Sequence, residues 1–238
     1  MAMLMTRRLA FPALTLLALA ARSALAQQQE NPSDTDRRRA TAQSRARRFD
    51  FEDMAVGMSP SGFTLAVTGG GGPVRWAVLE DPSSPAGSKV LAETSQDHTN
   101  DRFPLAILDD LTARDVVVSV RFRPVSGSVD QAAGLMVRLR DPRNYYIARA
   151  NALEGNVRLY RVVDGRRTQF AGVDTRIPRD RWQTLGLQVE GDRLAVSLDG
   201  RELFAATDRT FAEAGRIGLW TKADSLTYFD ALEVKFLR

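Results

Sequence analysis

Arg149, Asn151 and Glu154 are the residues whose types and spacing point most directly to chemistry. In Asn144–Asn156, reading N-Y-Y-I-A-R-A-N-A-L-E-G-N, a period of two places Tyr145, Ile147, Arg149 and Asn151 on one strand face and Tyr146, Ala148 and Ala150 on the other. A guanidinium and an amide two residues apart point the same way, and Glu154 follows in the turn. Such a face can grip a hydroxyl-rich ligand or serve as a solvated sheet surface. In Trp220-Thr221-Lys222-Ala223-Asp224, Trp220, Lys222 and Asp224 likewise alternate onto one side. If these strands share a sheet with those of Arg121 and Arg138, one surface gathers cations, carboxylates, an amide and the rings of Tyr145 and Trp220. Carbohydrates need that mixture: paired hydrogen bonds for vicinal hydroxyls and a ring for the C–H faces of the sugar.

Glu154 and Asp224 are the candidate acid/base pair. Glycosidic cleavage uses two carboxyls at a defined separation, and one carboxylate beside Lys222 suits proton abstraction. Asp50, Glu52 and Asp230 lie near the domain's ends and meet if the terminal strands pair. They would then offer oxygen ligands to Ca2+, or simply charge an edge against aggregation. His98, the single histidine, sits in the hydrophilic run Gln96–Asp101 and reads as a polar loop residue; one histidine excludes multi-His metal sites. The chain has no cysteine, which excludes disulfides, thiolate catalysis and Cys-bound metals.

These groups need strands to position them. Asp115–Arg123 alternates most clearly, with Val116, Val118, Val120 and Phe122 against Val117, Ser119, Arg121 and Arg123. Gln131–Arg140 sets Leu135, Val137 and Leu139 against Gly134, Met136, Arg138 and Arg140. Further strands are expected at Phe49–Glu52, Gly62–Thr68, Val74–Glu80, Lys89–Thr94, Val157–Val163, Thr168–Val173, Leu185–Val189, Leu194–Leu198, Leu203–Ala206, Arg216–Thr221 and Ser225–Phe236. Asp164-Gly165 and Asp199-Gly200 are hairpin signals. Thr210–Ala214 could hold one helical turn, and Trp76 and Trp182 read as core. Gly69–Gly72 lacks the Lys-Ser/Thr and the helix that a phosphate loop requires and reads as a flexible turn. A dozen or more short strands without a fixed repeat predict one all-β sandwich or jelly roll.

The N-terminus reads as an address. Arg7 and Arg8, the apolar run Leu9–Ala21 and Ala24-Leu25-Ala26 form a three-part signal peptide over 1–26. The run is too short, and too interrupted by Pro12 and Arg22, for a stable membrane span. Residues 27–48 read as a disordered Arg/Gln-rich linker and 49–238 as the domain. The formal charge of +4 comes from 33 basic and 29 acidic residues. Residues 1–48 hold nine of the basic and three of the acidic ones, which leaves the domain 24 against 26, a net of −2. Nucleic-acid binding therefore has no electrostatic basis. The basic linker instead reads as a solvated tether or a contact to anionic envelope surfaces.

Asn144–Asn156, Gly218–Ser225 and Phe229-Asp230 together resemble an exported bacterial family, the concanavalin A-like, laminin-G-like jelly rolls of the 3-keto-disaccharide hydrolase group. The resemblance covers about residues 49–238. Asp130–Arg138, reading D-Q-A-A-G-L-M-V-R, is similar to that group's N-S-G-[IL]-x-x-R strand, with Ala133-Gly134-Leu135 and Arg138 matching and the Asn-Ser pair replaced. The resemblance implies a two-sheet antiparallel jelly-roll β-sandwich doing carbohydrate-related work, in some members catalytic on 3-keto-glycosides. Three readings follow: a periplasmic or secreted saccharide-binding domain using Arg138, Tyr145, Arg149, Asn151, Trp220 and Lys222 on a concave face; a 3-keto-glycoside hydrolase or lyase using Glu154 or Asp224; and a non-enzymatic envelope or adhesion module. Oligomeric state stays open.

Overall fold

Every pairing between neighbouring strands is antiparallel, so no crossover helix is required, and the described residues contain none. The computed structural model describes residues 46–237; the expected signal peptide and the linker up to 45 lie outside the described residues. One sheet runs β13 (Arg201–Thr207), β12 (Arg193–Leu198), β11 (Gln183–Glu190), β6 (Val116–Ser126), β15 (Leu226–Phe236), β4 (Lys89–Glu93) and β3 (Trp76–Glu80), with β1 (Ala46–Phe49) also paired to β15. The other runs β10 (Arg166–Asp174), β9 (Asn156–Val163), β8 (Asn144–Asn151), β7 (Ala132–Asp141), β14 (Gly215–Trp220), β5 (Arg102–Ala113) and β2 (Phe63–Gly69). This is the expected all-β jelly-roll sandwich.

The core between the sheets follows the alternation. Val116, Val118, Val120 and Phe122 face inward beside Leu185, Leu187 and Phe229, against Leu135, Tyr146, Ala148, Ala150 and Leu219 of the facing sheet. Each such aliphatic or aromatic side chain contributes about 1.5–3 kcal/mol on burial, and with no disulfide this core must stabilise the fold. Asp164-Gly165 and Asp199-Gly200 have positive φ at both positions (51° and 82°, 50° and 78°), which closes the β9–β10 and β12–β13 hairpins with the right-handed twist of the strands.

The structure departs from the sequence reading at several points. The first strand among the described residues is Ala46–Phe49 rather than Phe49–Glu52, and Phe51 turns the chain at φ 64°. β5 was not anticipated. Its run Phe103–Leu108 lacks alternation because both faces are covered: Ala106 and Leu108 enter the inter-sheet core, while Phe103, Leu105 and Ile107 join a second cluster on the sheet's outer face. Thr210–Ala214 forms no helical turn. Trp76 is core, 5.8 Å from the Phe229 ring, but Trp182 lies outside it, partly buried under the Arg123 guanidinium at 5.7 Å. The four-glycine loop is held in place, since Gly72 N donates to Asp97 (2.6 Å) and Gly72 O accepts from Arg102 (3.1 Å).

Arg138 shows how a bulge redirects a side chain. It adopts φ 49°, the β7 register shifts between Val137 and Asp141, and the alternation inverts, so that Leu139 joins the outer cluster with Met136. The Arg138 guanidinium instead donates to the carbonyls of Arg114 (3.0 Å), Phe211 (2.8 Å) and Gly191 (2.5 Å) and to Asp115 (3.3 Å). It fastens the β5–β6 and β11–β12 turns to β7. Replacing it leaves three carbonyls without their donor, so Arg138→Ala is expected to lower equilibrium stability in urea by about 3 kcal/mol. A loss below about 1 kcal/mol would show that water substitutes for the guanidinium.

Candidate functional site

The β8–β9 hairpin places the first group. Asn151 Oδ1 accepts from the backbone N–H of Leu153 (2.9 Å) and Glu154 (3.0 Å), folding the chain over at the end of β8. That turn brings Glu154 back to Arg149, whose Nη2 donates to Glu154 Oε2 (2.8 Å) and Asn156 Oδ1 (2.6 Å). The bond from Arg149 holds the Glu154 carboxyl down at about 2 against the opposing effect of burial. Arg149 is 1% exposed, whereas the Glu154 side chain is 45% exposed.

Asp130 joins this hairpin to the β14–β15 connection. One carboxylate oxygen accepts from Asn151 Nδ2 (2.6 Å) and the other pairs with Lys222 Nζ (2.6 Å). Asp224 organises the loop carrying Asp130: its carboxylate accepts from the N–H of Ser128 (2.6 Å), Val129 (3.0 Å) and Asp130 (3.0 Å) and from the Ser128 hydroxyl (2.8 Å). Burial pushes the Asp224 carboxyl up, but these donors outweigh it and hold it below the usual range. His98 Nε2 lies 3.6 Å from the same carboxylate on an exposed ring.

An aromatic floor adjoins this polar chain on the outer face of the seven-stranded sheet. Trp220 stacks on Phe103 at 5.3 Å and 17°. The ring lies close over β7 because Gly134 is beneath it, where a Cβ would come within 3.1 Å of Trp220 and 2.9 Å of Ile147 Cδ1. Arg167, from β10, spreads its guanidinium over Tyr160 (4.5 Å), Phe103 (4.7 Å) and Trp220 (5.6 Å), while Arg149 lies 5.6 Å from the Tyr160 ring. Tyr145 is fully buried against Thr68 (2.9 Å), and burial pushes its hydroxyl up to about 12. The indole N–H of Trp220 and the Nε of Arg149 lack hydrogen-bond partners.

The structure thus brings together Arg149, Asn151, Glu154, Lys222 and Asp224, with Trp220 and Tyr145 on the same face. Arg138 does not join them, because its bulge turns it toward the other sheet's turns. Arg121 lies on β6 of the other sheet, exposed at a cavity of about 300 Å³ with Arg48 and Thr184. The expected calcium group does not form. Glu52 is taken up by the N–H groups of Ser88 (2.8 Å) and Lys89 (2.7 Å), Asp50 pairs with Arg48 (3.9 Å), and Asp230 accepts from Ser84 and from Ala231 N–H. No three His, Asp or Glu side chains among the described residues converge on a metal position. The physical reason is register: β1 ends at Phe49, so Asp50 and Glu52 fall in the connection after it, while Asp230 is buried within β15. Asp130, Asn156 and Arg167 were not anticipated. The Asp164-Gly165 turn carried a signal for Arg167, because a two-residue hairpin pairs it with Val162, which lies opposite Tyr145.

No protein-family model matches the sequence, and no curated protein sequence does. Solved structures share the fold. The chain is similar to the carbohydrate-binding module CBM66 from Bacillus subtilis, at 22% identity over 75% of this chain and 98% of that one, with a TM-score of 0.58. It is similar to domain 4 of AbnA, a GH43 extracellular arabinanase from Geobacillus stearothermophilus solved with arabinotriose, at 17% identity over 79% and 90% of the two chains and a TM-score of 0.50. The exoplasmic/lumenal domain of VIP36, in a Ca2+/Man3GlcNAc-bound form, matches at 13% identity over 78% and 86%, with a TM-score of 0.51. At these identities the likeness establishes the sandwich.

Two measurements test the site's electrostatics. Asp130→Asn leaves the buried Lys222 ammonium without its counter-charge, at an expected cost of about 3 kcal/mol; Asp130→Asn with Lys222→Met should recover more than half of that in urea unfolding, and simple additivity would count against a coupled pair. Burial holds the Asp230 carboxyl above its usual range, so charging it is less favourable in the folded protein than in the unfolded chain. Asp230→Asn should therefore gain stability relative to the parent as pH rises above the unfolded carboxyl value of about 3.9, and the difference should level off below that value. A pH-independent difference in melting temperature would contradict this.

Proposed function

We propose that the outer face of the seven-stranded sheet binds a saccharide and that the chain is an exported carbohydrate-recognising domain, periplasmic or secreted. The observation that carries this reading is the placement of a connected polar chain, Glu154–Arg149–Asn156 and Lys222–Asp130–Asn151, directly beside the rings of Tyr160, Phe103 and Trp220. Donors and acceptors fixed by their own partners suit hydroxyl pairs, and the buried rings beside them form an apolar floor whose reduced dielectric strengthens those hydrogen bonds. This is the face we take as concave. The saccharide ligands named for the AbnA domain and VIP36 structures, and the module's own name, support the same use of the sandwich.

The resemblance to 3-keto-disaccharide hydrolase domains is, on this reading, one of fold and ligand class. A general acid at neutral pH needs a carboxyl raised above its ordinary value, and Glu154 and Asp224 are both lowered. Asp224 is also fully occupied by the Ser128–Asp130 loop. Both carboxylates act as hydrogen-bond acceptors that shape the site. The N-terminal signal read from the sequence accounts for export.

Thermal shift and product analysis over a glycan and 3-keto-glycoside panel test this directly. Melting temperature should rise with at least one glycan and no product should form. Glu154→Gln should keep affinity within a few fold, whereas Arg149→Met, which removes the donor joining Glu154 and Asn156, should weaken binding about tenfold. Turnover abolished by Glu154→Gln would replace the binding reading with the hydrolase, and a panel without any shift would remove the saccharide reading.

A further inference from the structure

Arg167 is the one site cation without a carboxylate partner. Arg149 pairs with Glu154, Lys222 pairs with Asp130 and the neighbouring Arg102 pairs with Glu93, whereas no ion pair or side-chain hydrogen bond among the described residues involves Arg167. Its guanidinium rests on Tyr160, Phe103 and Trp220, and its Nη1 is sealed from solvent without a hydrogen-bond partner. Burial lowers its affinity for the proton, as does the nearby Arg149 charge. A partly buried charge held only by ring faces is stabilised by a few kcal/mol at most, less than full solvation or a bidentate carboxylate supplies. The side chain stays partly exposed, so part of the guanidinium remains open above the floor.

A second observation points the same way. Arg149 is 1% exposed, yet its Nε has no partner, and its guanidinium also lies over the Tyr160 ring, 5.6 Å from the centroid. Two guanidinium groups therefore lie against one tyrosine, each with an unused N–H. The acids of this face are already committed: Asp130 to Lys222 and Asn151, Glu154 to Arg149 and Asn156, Asp224 to backbone donors. What the site lacks is an acceptor with negative charge.

We infer that the saccharide bound here carries an anionic group, a carboxylate or sulfate, received by Arg167 between the Tyr160 and Phe103 rings. The inference rests on the saccharide reading above and narrows its ligand class to acidic glycans. The guanidinium fork matches a carboxylate or sulfate edge with two parallel hydrogen bonds, and the rings hold it flat for that contact. The sugar ring then lies toward Lys222 and Asn151, where neutral hydroxyls find donors and acceptors.

The test is calorimetric titration of the protein with three matched probes: an oligogalacturonate, its methyl ester and a neutral galacto-oligosaccharide, with a sulfated galactan oligosaccharide as the alternative anion. One of the anionic probes should bind at least about tenfold more tightly than its neutral counterpart, and the preference should shrink as salt rises. Arg167→Gln should erase the preference without lowering the melting temperature, and Arg167→Lys should restore part of it. Equal binding of charged and neutral probes, or a preference that survives Arg167→Gln, overturns the inference and leaves the saccharide reading standing. Binding of neither charged nor neutral probes, in a protein whose melting is unchanged by the panel above, removes both.

Discussion

The Asp130–Lys222 pair is the interaction on which the candidate site depends. Both groups are nearly excluded from water, 2.6 Å apart. Neither tolerates isolation there, because an unpaired buried charge costs several kcal/mol. The pair therefore fixes the distance between the β6–β7 loop, which carries Asp130, and the β14–β15 connection, which carries Lys222. Asn151 extends the constraint to the β8–β9 hairpin through the other Asp130 oxygen. Three connections far apart in sequence are set in one geometry by one carboxylate, and Asp224 keeps that carboxylate in place by binding the loop beneath it.

The seven-stranded sheet could accept such a site because its outer face is itself apolar. Met136, Ile147, Leu105 and Trp220 form a second cluster behind the inter-sheet core. A polar network above an apolar floor sits at reduced local dielectric, which strengthens its hydrogen bonds and raises the cost of leaving any of them unmade. The opposite sheet lacks this arrangement: on the back of β6 Arg121 meets solvent, and Arg123 pairs with Asp81 (3.2 Å) over the Trp182 and Tyr228 rings.

These differences explain what could be read from the sequence. β6 and β11 were legible because one face is core and the other wet, which writes a period of two. β5 was not, because two dry faces erase the period, and Phe103 went unnoticed with it. Arg149, Asn151 and Lys222 were legible by alternation alone. Asp130 became visible only once loops distant in sequence had met. The reading of β7 held up to Val137 and inverted at Arg138, where positive φ moved a side chain that simple alternation assigns to the ligand face. The strand expected at Phe49–Glu52 lies upstream for a similar local reason, the turn at Phe51, which also draws Asp50 and Glu52 away from Asp230 in β15.

The arginines of this domain separate by how many of their nitrogens are used. A guanidinium has five N–H donors. Arg138 places all three nitrogens on acceptors, chiefly backbone carbonyls. Arg102 does the same with Gly72, Pro73, Ala223 and Glu93. Both are nearly or fully buried, and both close turns. Arg149 uses Nη2 alone for its two side-chain acceptors and leaves Nε idle, and Arg167 relies on ring faces. Burial does not distinguish the two classes, since Arg138 and Arg149 are equally excluded from water. Saturation does: carbonyls satisfy Arg138, whereas Arg149 and Arg167 keep donors idle beside the rings of the outer face, and that contrast is what motivates the proposed acidic ligand.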